Sequence, residues 1–364
     1  MLNVALSSDI FEIQRFGGIS RYFVELAQSL ESEGLARVEI GAGVHINSLL
    51  NDSKVKNGIY LPFSPSRIGL GGVISRINSI YSREISRNSR FAIRHETFYR
   101  GGQEHLRADK SVTTVHDLIR EKFTPEWNGF LAKKRSLELS DAIICVSKNT
   151  ASDLVEHYKI AAEKITVIPH GVNPVFFKTS SSLEVRMLEP QLLFVGSRDG
   201  YKNFRTLVEA FSSSQFLQNN FVVSVIGSRF TKDEESLMKS LSVRNHFKYR
   251  GRRQSDLLKA YRNCLALIVT STYEGFGMPV IEAMASECLV FSTRAGSLSE
   301  IGGGNDFEFL ALDPFSLAER IESVLADKEL ISASTYAGRL HAEKFSWVNT
   351  ASLTANLYKS LLNT

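Results

Sequence analysis

The sequence predicts an α/β fold of two doubly wound, Rossmann-like domains in tandem. Three observations carry this reading. Short apolar runs alternate with helix-spaced patterns along the chain, which argues parallel strands joined by crossover helices. The alternation restarts near residue 191, after a stretch without periodicity. The chain has 364 residues, and a single core stops growing at roughly 250–300.

Taken in order, LNVAL (2–6) reads as a buried strand. Ile19, Tyr22, Phe23, Leu26, Ala27 and Leu30 follow at helix spacing over three turns. Strands are expected at VEIGAGV (38–44), SVTTVHD (111–117), AIICVS (142–147) and KITVIP (164–169). A helix is expected over Asn149–Tyr158, capped by Ser147 or Thr150. In segment 71–96, Arg83, Arg87, Arg90 and Arg94 recur at helix spacing, with Ile74, Ile77, Ile80, Tyr81 and Ile85 in another sector. This is a basic amphipathic helix, either with a solvated face or in peripheral contact with an anionic membrane. The stretch 169–190 reads as the linker, with prolines in turn contexts and a serine run. Beyond it come QLLFVG, FVVSVIG, CLALIVTST and CLVFST as strands, with FRTLVEAFSSS, SDLLKAYRN and PVIEAMAS as helices. The domains expected are 1–172 and 187–345, with a binding cleft between them.

Composition is that of a soluble globular protein, 43% hydrophobic and 23% charged. A formal net charge of +4 is too mild to indicate a nucleic-acid binder. Cys145, Cys264 and Cys288 sit in or beside apolar runs and read as buried thiols, and no CxxC marks a zinc site. The start, MLNVALSSD, lacks the basic and apolar regions of a signal peptide. No run approaches the 18 apolar residues of a membrane span. The expected location is cytoplasmic, peripheral on the inner membrane face if segment 71–96 docks there.

Three strand ends open into glycine-bearing loops: RFGGIS (15–20), GSRDGYKN (196–203) and YEGFG (273–277). Such loops lie at the carboxyl edge of a parallel sheet, where ligands bind. Glycine admits close backbone approach, and a helix N-terminus favours phosphate. Arg198 and Lys202 add two cations to the second loop, so a diphosphate clamp is expected there. No GxxxxGK[ST] is present, and no GxGxxG with a following acid, which disfavours a dehydrogenase. IGGGND (301–306) reads as a plain loop. Glu274 and Glu282 flank the third loop. With Pro279 at the first helical position, Glu282 would be at the fourth. Carboxylates accept from sugar hydroxyls, and Glu282 is placed to hold a ribose diol. The N–H groups of Gly275, Phe276 and Gly277 would face the cleft. The alternative for both glutamates is electrostatic support of the helix start.

YEGFGMPVIEAMA is similar to the E-x7-E signature of family 4 retaining glycosyltransferases, which have the GT-B fold. GGISRY (17–22), TVHDLIRE (114–121), VSKNTASDL (146–154), EKITVIPHGV (163–172) and FVGSRDGYKNF (194–204) resemble family segments in family order. FSWVNTASLTANLY (345–358) resembles the C-terminal helix that packs back on the first domain. The likeness is greatest to builders of bacterial surface polysaccharides (O-antigen or capsule), many of them mannosyltransferases. It implies that Gly17 and Gly18 approach the donor phosphates or the acceptor, and that Arg198 and Lys202 neutralise the leaving diphosphate. Glu274 would bind donor-sugar hydroxyls and Glu282 the ribose, with Met278 beside them. His116 would contact the donor sugar. His95, Thr97, Tyr99 and Asp117 are placed on the acceptor side. KYRGRRQ (248–254) departs from the family, which often has an apolar residue before the glycine, whereas here Arg250, Arg252 and Arg253 surround it. The resemblance further implies a nucleotide-sugar donor, best read as GDP-mannose, no metal or other cofactor, and a glycan or lipid-linked oligosaccharide acceptor. A UDP- or dTDP-sugar donor and a GT-B sugar-nucleotide epimerase are the alternatives. No nucleic-acid partner is expected.

Overall fold

The computed structural model describes residues 1–55, 58–63, 69–99, 105–124, 126–178, 181–198, 200–251, 254–303, 307–309 and 312–363, residue 254 by its backbone alone. The chain divides into two compact units. The first is Met1–Gly171 with Ser346–Thr364, and the second is Val172–Phe345.

The first unit holds β1 (Leu2–Leu6), β2 (Ala36–Ile40), β3 (Val44–His45), β4 (Ile59–Tyr60), β5 (Phe91–Glu96), β6 (Ala108–Val115), β7 (Ala142–Cys145) and β8 (Ile165–Val167). Six of these form one parallel sheet in the order β2-β1-β5-β6-β7-β8, while β3 and β4 pair separately. Val4, Ala5 and Leu6 are all buried, as expected for a strand covered on both faces. The helix Gly18–Ser32 buries Tyr22, Phe23, Leu26, Ala27 and Leu30, five of the six residues whose spacing predicts it, with Ile19 partly buried. The helix Trp347–Leu362 joins the same core through Trp347, Ala351, Ala355 and Tyr358. Ser346 caps that helix by accepting from Asn349 N. Gly171 lets the chain pass it, since a Cβ there would lie 2.3 Å from Trp347 N.

The second unit holds β9 (Gln191–Val195), β10 (Val222–Ile226), β11 (Phe247–Gly251), β12 (Ala266–Val269) and β13 (Leu289–Ser292). They form a parallel sheet in the order β11-β10-β9-β12-β13. The order reverses between β9 and β12, so the loops leaving these two strands flank a topological switch point.

Several expectations need correction. Segment 71–96 is not one helix. The helix ends at Asn88, and FAIRHE pairs between β1 and β6 as strand β5. Arg90 and Arg94 are therefore off the helix. Of the apolar sector, Ile77 and Ile80 are exposed and Ile85 is buried. VEIGAGV leaves the sheet at Ile40. Strand β11 escaped notice because it is an edge strand with polar Lys248 and Arg250 turned outward relative to Phe247. Residues 172–186 belong to the second unit, where Phe176 is buried and Ser182 caps a helix over Leu183–Leu188. Of the residues singled out above, Arg252, Arg253 and 304–306 lie outside the described residues. All three cysteines are buried and free. Burial pushes the thiols of Cys145 and Cys288 up to about 12. Among the described residues no helix is long and apolar enough to cross a membrane.

Candidate active site

The third glycine loop, between β12 and the helix Met278–Ala285, carries the densest chemistry. Gly277 caps this helix with φ +92, a left-handed conformation that favours glycine. The helix starts at Met278, so Pro279 is its second residue and Glu282 its fifth, one later than expected. Met278 is only half-buried at that start.

Glu274 is 8% exposed. Its Oε1 accepts from Lys202 Nζ at 2.6 Å and from Ser271 Oγ at 2.6 Å. The β9 loop thus supplies the cation and the β12 loop the carboxylate. Backbone contacts tie the loops together: Thr270 Oγ1 donates to Lys202 O at 2.8 Å, and Thr272 N donates to Tyr201 O at 2.7 Å. A third loop, after β13, braces Glu274 from behind. Ser297 donates to Glu274 O through both N (3.0 Å) and Oγ (3.1 Å). Gly296, at φ +61, presses so close that a Cβ would meet Glu274 O at 2.4 Å. A small pocket is lined here by Lys202, Ser271, Glu274 and Gly277 over Phe194 and Val280. Ammonium, carboxylate and helix N-terminus together suit a ligand carrying both anionic and hydroxyl groups.

Glu282 lies deeper. It is 1% exposed, and Tyr261 OH donates to its Oε2 at 3.3 Å. Phe276 turns inward, its ring 6.1 Å from that of Phe345. Gly275 is buried beside it.

Arg198 does not join Lys202. Its guanidinium donates to Glu234 Oε1 (2.7 Å), Ser228 O (3.0 Å) and Arg229 O (2.7 Å), and packs against Phe204 and Phe230. The side chain is 3% exposed. Four residues along the loop turn it toward the β10 end, so of the two cations Lys202 is the one that reaches Glu274.

In the first unit, Gly17 is extended and caps the helix Gly18–Ser32, with Gly18 in open space. Neither requires the left-handed region. A short helix, Asp9–Ile13, separates them from β1. His116 follows β6. Its Nε2 is buried without a hydrogen-bond partner among the described residues. Burial, then the charge of Lys133, lower its pKa to about 3, so the ring is neutral. Tyr22 lies edge-on to both His116 and His170, with ring centroids 4.9 Å apart in each pair.

The acceptor-side expectations for His95 and Thr97 are not met. Strand β5 is central, so its side chains are covered on both faces. His95 is fully buried, with Nε2 paired to Thr114 Oγ1 (2.7 Å) and Nδ1 to Tyr358 OH (2.6 Å). Thr97 is buried, its hydroxyl donating to Ser7 O at 3.1 Å. Tyr99 covers Lys133, whose Nζ lies 4.9 Å from the ring centroid. Asp117 turns back to accept from Ile119 N at 3.0 Å. Lys133 itself was not anticipated. It is 3% exposed, pairs with Glu121 at 2.6 Å and donates to Asp117 O at 3.1 Å, so it pins the chain just after His116. Ser271, Gly296 and Ser297 were also missed. The signal was present, because STRAGS is a fourth strand-end loop with a glycine.

The family models divide the chain as the fold does. Residues 16–176 match Glycosyltransferase Family 4 and residues 176–341 match Glycosyl transferases group 1. An uncharacterized glycosyltransferase of Methanocaldococcus jannaschii is 31% identical over 225 residues, 61% of this chain and 60% of that protein. The serotype-specific mannosyltransferase WbdA of Escherichia coli is 26% identical over 274 residues, 70% of this chain and 34% of that protein. The chain thus spans less than two thirds of the length of these relatives. HepE of Anabaena, solved with UDP and glucose, superposes with a TM-score of 0.79 at 17% identity, covering 99% of this chain and all of that one. The fold is therefore that of the GT-B glycosyltransferases. Within that class the chain belongs to the family 4 glycosyltransferases.

Proposed function

We propose that the protein transfers a hexosyl group from a nucleotide sugar to a hydroxyl of a glycan or lipid-linked oligosaccharide, with retention, in surface-polysaccharide synthesis. The observation that carries this is the Lys202–Glu274–Ser271 cluster at the glycine-capped start of the helix Met278–Ala285. In this reading Lys202 takes the charge that develops on the departing diphosphate. Glu274 accepts from donor-sugar hydroxyls, braced from behind by Ser297. Glu282 holds the ribose. Within the first unit, the neutral ring and unpartnered Nε2 of His116 fit a substrate hydroxyl. The acceptor hydroxyl attacks on the face the diphosphate leaves, and its proton passes to the leaving phosphate. We assign no metal to the step, since Lys202 supplies a cation at the diphosphate.

Mannose from GDP-mannose is the donor we favour, supported by the likeness to WbdA. A uridine nucleotide is the second reading, supported by the UDP held by HepE. Melting the protein with GDP, UDP, dTDP or ADP, each with EDTA or magnesium, separates them. A nucleotide at about 100 times its dissociation constant adds roughly 2.7 kcal/mol, a shift of a few degrees. A shift with GDP alone, unchanged by EDTA, is the expected result. A shift with UDP or dTDP alone would move the donor, and no shift with any nucleotide would remove the site.

A further inference from the structure

The helix Gly71–Asn88 leaves apolar residues exposed on the side turned away from its own unit. Its buried side joins polar anchors to Ile85, which is 8% exposed and packs with Ala5, Phe91 and Leu106. Asn78 is fully buried, donating to Glu12 Oε1 and Val44 O at 2.9 Å each and accepting from Val44 N at 2.8 Å. Ser82, one turn on, donates to Gly41 O at 3.0 Å. Its outward face is apolar and cationic. Val73, Ile77 and Ile80 are 52%, 41% and 59% exposed. At 100° per residue these three fall within a sector of about 60°, and Arg76, Arg83 and Arg87 fill an adjoining sector of about 40°. All three arginines are exposed, and Glu84 is the single acid of the helix. The cationic character continues past the helix end, where Arg87, Arg90 and Arg107 line a shallow depression with Asp109.

We propose that this face docks on an anionic lipid bilayer. Val73, Ile77 and Ile80 lie off the buried side of the helix, which Asn78, Ser82 and Ile85 form. Apolar side chains that enter the acyl boundary, with arginines level with the headgroups, are the signature of an interfacial helix. The occupant follows from charge: three arginines against one glutamate complement anionic headgroups, each contributing about 1 kcal/mol near such a surface. The proposal involves no donor or acceptor, so it and the transferase reading fail separately.

Co-sedimentation with vesicles tests it. The probes are phosphatidylcholine alone and phosphatidylcholine with about one third phosphatidylglycerol, at about 50 and about 500 mM salt. The protein is expected to sediment with the anionic vesicles at low salt and to be released at high salt. Arg83→Gln with Arg87→Gln should lower the partition coefficient roughly 25-fold, about fivefold per arginine. Ile77→Ser with Ile80→Ser should lower it about as much, with an unchanged melting temperature. Arg205→Gln, exposed in the second unit, should leave binding unaltered. Absence of sedimentation at low salt, or wild-type binding by both double variants, would overturn the proposal. So would concentration-dependent dimerisation in light scattering that Ile77→Ser with Ile80→Ser abolishes, since a second copy would then cover the face.

Discussion

Glu274 is held at three points by three loops, and its neighbours divide into those that serve a ligand and those that serve the fold. Lys202→Ala removes the cation and leaves a largely buried carboxylate short of a partner. Calorimetric titration should find nucleoside diphosphate binding at least tenfold weaker, about 1.4 kcal/mol, and urea unfolding should find a cost of about 1–3 kcal/mol. Arg198→Met should behave oppositely. Stability falls as Glu234 and two carbonyls lose their donor, while nucleotide affinity holds. The histidines fix a pH dependence. His95 and His116 are each lowered to about 3, chiefly by burial, and His170 is lowered well below 6.5. An unfolded histidine titrates near 6.5, so between these values the unfolded chain binds protons the folded chain refuses. The stability they contribute is complete above about pH 6.5 and is lost as pH falls toward 3. The melting temperature should drop steeply from pH 7 to pH 5, and less steeply in His116→Gln. Lys202 and Glu274 were legible in the sequence because each stands in a strand-end glycine loop. Arg198 stands in the same loop, but spacing does not reveal which way a loop side chain turns.

At the scale of elements, the site depends on loops that meet because β9, β12 and β13 lie side by side. Gly296→Ala would force a Cβ into the Glu274 backbone at a positive φ, so turnover should fall tenfold or more while Ser297→Ala loses less. In the first unit, Lys133→Met strands Glu121, which is 2% exposed. Breaking such a buried pair costs about 3–5 kcal/mol, measurable by urea unfolding. Most elements could be read from apolar periodicity: the helix Gly18–Ser32, the strands β1, β7, β9 and β12, and the helix Met278–Ala285. Two strands of the main sheets could not. FAIRHE in β5 carries an arginine, a histidine and a glutamate, and its burial depends on Tyr358, which is 263 residues away in the chain. FKYRG in β11 is an edge strand, whose polar residues need no cover. The brace around Glu274 was equally hidden, since nothing local to RAGSLS says that it packs behind another loop.

At the scale of the whole molecule, two parallel sheets form in tandem, and the last helix returns to complete the first core. Tyr358→Phe should lower stability by about 1–3 kcal/mol, because it removes the hydroxyl paired with the buried ring of His95. The order of the sheet strands places the β9 and β12 loops at the switch point of the second unit, and that topology makes Lys202 and Glu274 neighbours. The most direct test is calorimetric titration of GDP and UDP into the wild-type protein and Lys202→Ala in EDTA. The account expects one nucleotide to bind the wild type and to bind the variant at least tenfold more weakly, with both chains folded. Equal binding to both chains, or no binding to the wild type, would contradict it.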